Sequence, residues 1–133
     1  MKIVFDTNVL LSALLFPGFS TKVFDFCVTQ FNLISSDWLL EELEEKLIKK
    51  FKLSDTQVEL YLGLLKERIA IVHPFNELPD ACRDADDNHV LQVADYMKVD
   101  CIITGDGDLL VLEYYNQIQI LSPRQFYNLY MEN

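Results

Sequence analysis

Residues 101–110 read Cys-Ile-Ile-Thr-Gly-Asp-Gly-Asp-Leu-Leu. Cys101 to Thr104 is an apolar run of strand length, and Gly105 to Asp108 is a turn that ends it. A short helix is expected to follow, through Tyr114. The strand–turn–helix pattern recurs on both sides of this segment. Upstream, Lys2 to Phe5 forms a short apolar run ending at Asp6, and a helix follows from about Asn8 to Leu15, broken at Pro17-Gly18. Ser20 is placed to cap a second helix that carries Val23, Phe24 and Cys27 on one face. Phe31 to Ile34 reads as a strand. Ser35-Ser36-Asp37 opens a helix through Lys50 with Leu39, Leu40, Leu43 and Leu47 facing inward.

Ser54-Asp55-Thr56-Gln57 fits a capping box for a helix striped by Val58, Leu62 and Leu65. Ile69 to Val72 is a strand, and Pro74 to Arg83 a polar, proline-marked loop. A helix is expected from about Asp86 to Met97. Downstream of the opening segment, Ile118 to Leu121 is the last strand. Ser122-Pro123 then supplies a cap and a proline at the first position of the final helix. Strands alternating with helices predict an α/β fold of three layers. A mostly parallel central sheet of about five strands would be covered by helices on both faces. No linker, repeat or low-complexity stretch interrupts it, so residues 1–133 are expected to form a single domain.

Composition narrows the class. Half of the 133 residues are apolar, which is enough for a core and excludes disorder. No apolar run is long enough to span a bilayer, and the N-terminus carries no secretory signal pattern. The three cysteines, Cys27, Cys82 and Cys101, form no CxxC pair. Neither a disulfide framework nor a thiolate zinc site is expected, and a reducing cytoplasmic setting fits. The formal net charge of −10 opposes nucleic-acid binding through a broadly basic surface. Carboxylates gathered to hold divalent cations give the same imbalance, and they require only a local basic rim beside them.

In open parallel sheets, ligands bind beyond the carboxyl ends of the strands. Several acids fall there. Asp6 ends the first strand, where it either compensates a cation or caps the helix after it. Asp106 lies two residues beyond the strand at 101–104, with no evident capping duty. Asp108 is as well suited to capping the next helix as to touching a metal. Asp87 shares the stripe of Val90, Leu91 and Ala94, at the core-facing start of its helix, or else only complements the helix dipole. Asp84 and Asp86 point elsewhere. Glu42 flanks the leucine stripe of a helix that also carries Glu41, Glu44 and Glu45, and spacing alone reads all four as a solvated face. His73 and His89 belong to no recognisable constellation.

Taken together, these segments resemble a known family. Ile3-Val4-Phe5-Asp6-Thr7-Asn8 through Ala13 resembles the opening of PIN domains. Ser36 to Leu47 resembles their "S…L-x-E-L…L" helix, and Asp84 to Ala94 their "D-x-D-D…L…A" segment. Residues 101–110 are similar to the "TGDxDLL" element of a bacterial subgroup, the VapBC-like toxin ribonucleases, and Ile120 to Phe126 resembles that subgroup's closing strand and helix. The blocks occur in family order over nearly the whole chain.

The resemblance implies that Asp6, Glu42, Asp87 and Asp106 are the acids of a metal site, with Asp108 as an accessory. It selects Glu42 over Glu44 because Glu42 precedes Leu43 at the matching position. It implies that Asn8 and Thr104 support the acids by hydrogen bonds. Hard oxygen donors select Mg²⁺ or Mn²⁺. Asp6, Asp87, Asp106 and Asp108 are the expected metal contacts. Glu42 and Asp87 are expected to complete the shell or orient the attacking water. The implied activity is endoribonucleolytic hydrolysis of RNA leaving a 5′-phosphate and a 3′-hydroxyl. A cognate antitoxin protein and a homodimer are the implied partners.

Two other classes compete. A haloacid-dehalogenase-like phosphohydrolase also has an Asp after its first strand, but it needs a second Asp two residues on, where this chain has Asn8. A non-catalytic RNA- or protein-binding module of the same fold fits the acidic charge, and predicts that neutralising the acids changes nothing.

Overall fold

The computed structural model describes residues 1–132. In chain order its elements are β1 (Lys2–Phe5), α1 (Thr7–Leu15), α2 (Phe19–Gln30), β2 (Asn32–Ser36) and α3 (Asp37–Lys49). There follow α4 (Asp55–Arg68), β3 (Ile69–Val72), α5 (Asn88–Met97), β4 (Cys101–Ile103) and α6 (Gly107–Leu110). The chain ends with β5 (Tyr114–Tyr115), β6 (Ile118–Leu121) and α7 (Pro123–Phe126). A 3₁₀ turn at Ala85–Asp87 leads into α5, and a π-helical turn at Tyr127–Met131 follows α7.

The sheet has six strands in the order β3-β2-β1-β4-β6-β5. All neighbours are parallel except β5 and β6. Alternate residues along the strands serve two cores. Ile3, Phe5, Leu33, Cys101 and Ile103 pack with the apolar stripes of α1, α2, α3 and α4. Val4, Ile34, Ile102 and Ile120 pack on the other face with Val90, Leu91, Val93 and Ala94 of α5 and Leu109 of α6. Because side chains alternate with period two, a strand buried on both sides must be apolar throughout. Ile3, Val4 and Phe5 meet that demand, at 2% exposure or less.

Local signals in the sequence account for several boundaries. Ser54 and Gln57 form the expected capping box, and Ser122 with Gln125 forms another ahead of Pro123. Ser36 caps α3 by accepting from the Leu39 N–H at 3.2 Å. Other expectations are corrected. Ser20 caps nothing, because α2 begins at Phe19 with Gly18 at its N-cap. The helix after Asp106 stops at Leu110 instead of reaching Tyr114. Tyr114–Tyr115 instead forms a sixth, antiparallel edge strand. Its hairpin turns at Asn116 and Gln117, with φ of 48° and 71°, the left-handed pair that a two-residue type I′ loop requires. The usual Asn-Gly signal is absent there, which hides the turn in the sequence.

The topology itself marks a site. From β1 the chain moves outward through β2 to β3, and from β4 it moves the other way through β6. The order therefore reverses between β1 and β4, and the crevice beyond their carboxyl ends is the natural ligand position in such a sheet.

Candidate metal centre

Asp6 and Thr104 stand on either side of that crevice. Asp6 follows β1, is 6% exposed, and donates its backbone N–H to Ile103 O at 2.9 Å, extending the ladder past the last strand residue. It occupies the N-cap position of α1, yet its side chain makes no capping bond. Its carboxylate accepts instead from the Thr104 hydroxyl, Oγ1 to Oδ2 at 2.7 Å. The same Thr104 oxygen accepts the backbone N–H of Asp106 at 3.0 Å. One fully buried threonine thus ties the acid of one strand to the turn of its neighbour.

Asp106 is the residue that caps α6, its Oδ1 accepting from the Asp108 N–H at 2.8 Å. This corrects the expectation that Asp106 has no capping duty, and of the two roles open to Asp108 it removes the cap. Asp108, in the first turn of α6, is free of that duty. Asp87 closes the 3₁₀ turn before α5 and is 8% exposed. Ligand oxygens of Asp87, Asp106 and Asp108 lie within 4.8 Å of one another. Asp84 and Asp86 are exposed, and Asp84 only caps the Asp86 N–H at 3.0 Å.

Glu42 approaches from α3. Its side chain is 19% exposed, whereas Glu41, Glu44 and Glu45 are exposed. It faces the centre closely enough that its charge raises the pKa of Asp6. Asn8 behaves differently from expectation. It is exposed, and its Oδ1 accepts from Lys46 Nζ at 3.0 Å. Among the described residues no acid takes a hydrogen bond from it; Lys46 in turn lies 4.0 Å from Glu42.

The electrostatics follow from this crowding. Burial pushes the Asp6 carboxyl above its ordinary range, the Thr104 hydrogen bond draws it back, and the Asp106 and Glu42 charges raise it again. Asp87 is pushed up to about 7, first by burial and then by the charges of Asp106 and Asp6. Like charges held together out of water resist ionisation unless a cation compensates them.

The donor set fits such a cation. Asp87 Oδ2 is buried without any hydrogen-bond partner, a costly state for an acceptor-only carboxylate oxygen. The Asp87 carboxylate also clusters with those of Asp106 and Asp108, an all-oxygen set of the kind that holds Mg²⁺ or Mn²⁺.

Two features escaped the sequence reading. Arg83 reaches Asp108, Nη2 to Oδ1 at 2.9 Å. This contact spans 25 residues and has no periodicity to betray it. Trp38 and His89 stack with ring centroids 3.7 Å apart and planes at 5°. Trp38 lines a groove of about 320 Å³ together with Glu42, Lys46, Lys49 and Lys50. Glu41, Glu45 and Asp86 share its wall, so the groove is mixed in charge.

An acidic centre at the β1/β4 switch of a six-stranded, mostly parallel sheet defines an α/β protein with a candidate divalent-metal site. The PIN domain family model matches residues 2–108. The chain belongs to the PIN-domain family, whose members are generally nucleases and typically use divalent metals. An uncharacterized protein of Methanocaldococcus jannaschii is 30% identical to it, over 95% of this chain and 89% of that protein. Among solved structures, VapBC-1 from nontypeable Haemophilus influenzae superposes with a TM-score of 0.68 at 16% identity, covering 93% of this chain and 99% of that one. VapBC2 from Rickettsia felis, bound to a DNA fragment from its promoter, gives 0.65 at 13% identity over 90% and 97%. FitAcB from Neisseria gonorrhoeae gives 0.58 at 18% identity over 92% and 98%. At these identities the structural likeness establishes the fold.

Proposed function

We propose that this protein is an endoribonuclease dependent on Mg²⁺ or Mn²⁺, and the toxin of a toxin–antitoxin pair. The observation that carries the reading is the buried carboxylate of Asp87, its Oδ2 without a hydrogen-bond partner, clustered with the carboxylates of Asp106 and Asp108. Asp6, Asp87, Asp106 and Asp108 would hold the ion. When bound, such an ion would supply Lewis-acid stabilisation of the charge that develops on the phosphate and would make water a better nucleophile. Thr104 fixes Asp6 and the Asp106 turn relative to each other, so the acids are oriented before substrate arrives. Glu42, at the edge of the centre, accepts the proton of the attacking water. The water oxygen bonds to phosphorus, the bond from phosphorus to the 3′-oxygen breaks, and that oxygen takes a proton from solvent to leave as a hydroxyl. The other fragment keeps the 5′-phosphate.

The likeness to VapBC and FitAcB proteins supports a protein partner for this chain. A small cognate antitoxin would restrain the nuclease, and two copies of the chain would pair. All three cysteines are free and buried, which suits the reducing cytoplasm. No single helix among the described residues is long and apolar enough to cross a membrane.

The test is incubation of the purified, partner-free protein with a pool of structured RNAs in Mn²⁺, Mg²⁺ or EDTA, beside Asp6→Asn. Cleavage that requires metal and vanishes in the variant is expected. A folded, partner-free protein that cleaves RNA in none of these conditions, while still binding RNA after Asp6→Asn, would be the non-catalytic module that the net charge of −10 favours.

A further inference from the structure

A chain with 21 acidic and 11 basic residues must engage a polyanion through a few well-placed cations. Two side chains at the centre meet that requirement. Of the ion pairs among the described residues, those of Lys46 with Glu42 and Arg83 with Asp108 have an acid of the candidate centre as partner. They reach it from different flanks. Lys46 is carried by α3, after β2, and Arg83 by the loop before α5, meeting the acid in α6 after β4. The β1/β4 crevice lies between β2 and β6 in the strand order.

Stability does not explain Arg83. Its side chain is 87% exposed, and an exposed ion pair contributes little to folding. A guanidinium against Asp108 also opposes any cation that Asp108 would help to hold. Its chemistry suits a phosphate better. One N–H group is engaged, and the remaining donors of a rigid planar fork stay free for paired oxygens. Lys46 is complementary: its ammonium is anchored by Asn8 Oδ1 at 3.0 Å, which leaves donors open on a positioned point charge.

We infer that Arg83 and Lys46 form a phosphate clamp, gripping the RNA backbone on the two sides of the scissile phosphate. The strand then crosses the carboxyl end of the sheet from the α6 side to the α3 side. Arg83 exchanges Asp108 for substrate phosphate on binding, which frees that carboxylate. This inference rests on the ribonuclease reading and adds to it the residues that capture the substrate.

The experiment measures anisotropy of a short labelled single-stranded RNA in Ca²⁺ over a range of salt concentrations. The proteins are wild type, Arg83→Ala, Lys46→Ala, the double variant, Arg83→Lys, and Lys98→Ala as a control whose ion pair with Asp95 lies elsewhere. Each clamp variant is expected to weaken binding on the order of tenfold and to reduce the slope of log K against log salt by about 0.7, the value for one phosphate contact on a single strand. The double variant loses both contributions, Arg83→Lys keeps the slope while losing part of the affinity, and Lys98→Ala matches wild type. In cleavage assays KM rises and kcat changes little. Manganese affinity, read by electron paramagnetic resonance, is unchanged or tighter in Arg83→Ala. Salt slopes in Arg83→Ala and Lys46→Ala equal to that of a wild type that cleaves RNA would overturn the clamp alone. Loss of manganese binding in Arg83→Ala would overturn it too, making Arg83 an organiser of the acids. A wild type that neither binds nor cleaves RNA would overturn the ribonuclease reading, and the clamp with it.

Discussion

Asp6 and Asp87 are buried almost equally, at 6% and 8% exposure, and their carboxylates are met in opposite ways. Asp6 has a dedicated donor, the Thr104 hydroxyl at 2.7 Å, fixed on the neighbouring strand and shared with the Asp106 backbone. Asp87 has an oxygen that nothing donates to, at the end of a 3₁₀ turn beside two other acids. The first half of the centre is preorganised by the sheet itself. The second half is left short of positive charge, and a metal ion would supply what is missing. The contrast separates a carboxylate held by the sheet from one left without a donor: the first has its geometry fixed, and under the proposed function the second is where a bound cation would compensate charge.

Activity should not distinguish the two halves. Asp6→Asn and Asp87→Asn are each expected to lower metal-dependent RNA cleavage on the order of a thousandfold, the several kcal/mol that metal-assisted charge stabilisation supplies. Single-turnover assays at saturating RNA check this, and near-wild-type cleavage by either variant would remove that acid from the centre.

Stability should distinguish them. Thr104→Val leaves a buried Asp6 oxygen and the Asp106 N–H without their partner, and should cost about 2 kcal/mol in urea unfolding. Asp87→Asn should instead stabilise the metal-free protein. The sign follows from its raised pKa. The unfolded carboxyl ionises near its ordinary value of 3.8 and the folded one near 7. The folded state is therefore penalised increasingly as pH rises through that window, and fully above it. In EDTA the variant should be more stable than wild type at alkaline pH, and the difference should vanish on acidification towards pH 4 or so. A pH-independent difference would mean that the carboxylate is compensated by something other than protons.

The smallest effect is expected outside both halves. Trp38→Ala removes the aromatic face stacked on His89 in the groove beside Glu42. RNA affinity should fall on the order of tenfold, as for loss of one stacking surface, with manganese binding untouched. Unchanged affinity would place the RNA away from that groove.

Much of this contrast was legible from residue order, because strand ends are easy to locate when strands are short, apolar and followed by turns. Strand ends single out Asp6 and Asp106 as candidates, and the stripe of Val90, Leu91 and Ala94 singles out Asp87. Glu42 was not separable from its neighbours by spacing. It became so through packing, since it turns towards the centre while Glu41, Glu44 and Glu45 stay exposed. Residue order shows no capping duty for Asp106 and leaves Asp108 open between capping and metal contact, because acids on either side of Gly107 can each serve the helix that starts there. The Thr104 bridge joins positions 98 residues apart, and the Arg83 and Trp38 contacts also arise from the fold rather than from local pattern. The hairpin at Asn116-Gln117 lacked the glycine that usually announces it.

The most direct test of the centre is a manganese titration followed by electron paramagnetic resonance, comparing wild type with Asp87→Asn across a pH series. Wild type should bind Mn²⁺ with an affinity that weakens as pH falls below about 7, where Asp87 takes up its proton, and Asp87→Asn should bind far more weakly at every pH. Equal binding by the two proteins, or an affinity indifferent to pH through that range, would contradict the assignment of Asp87 as the acid that awaits the ion.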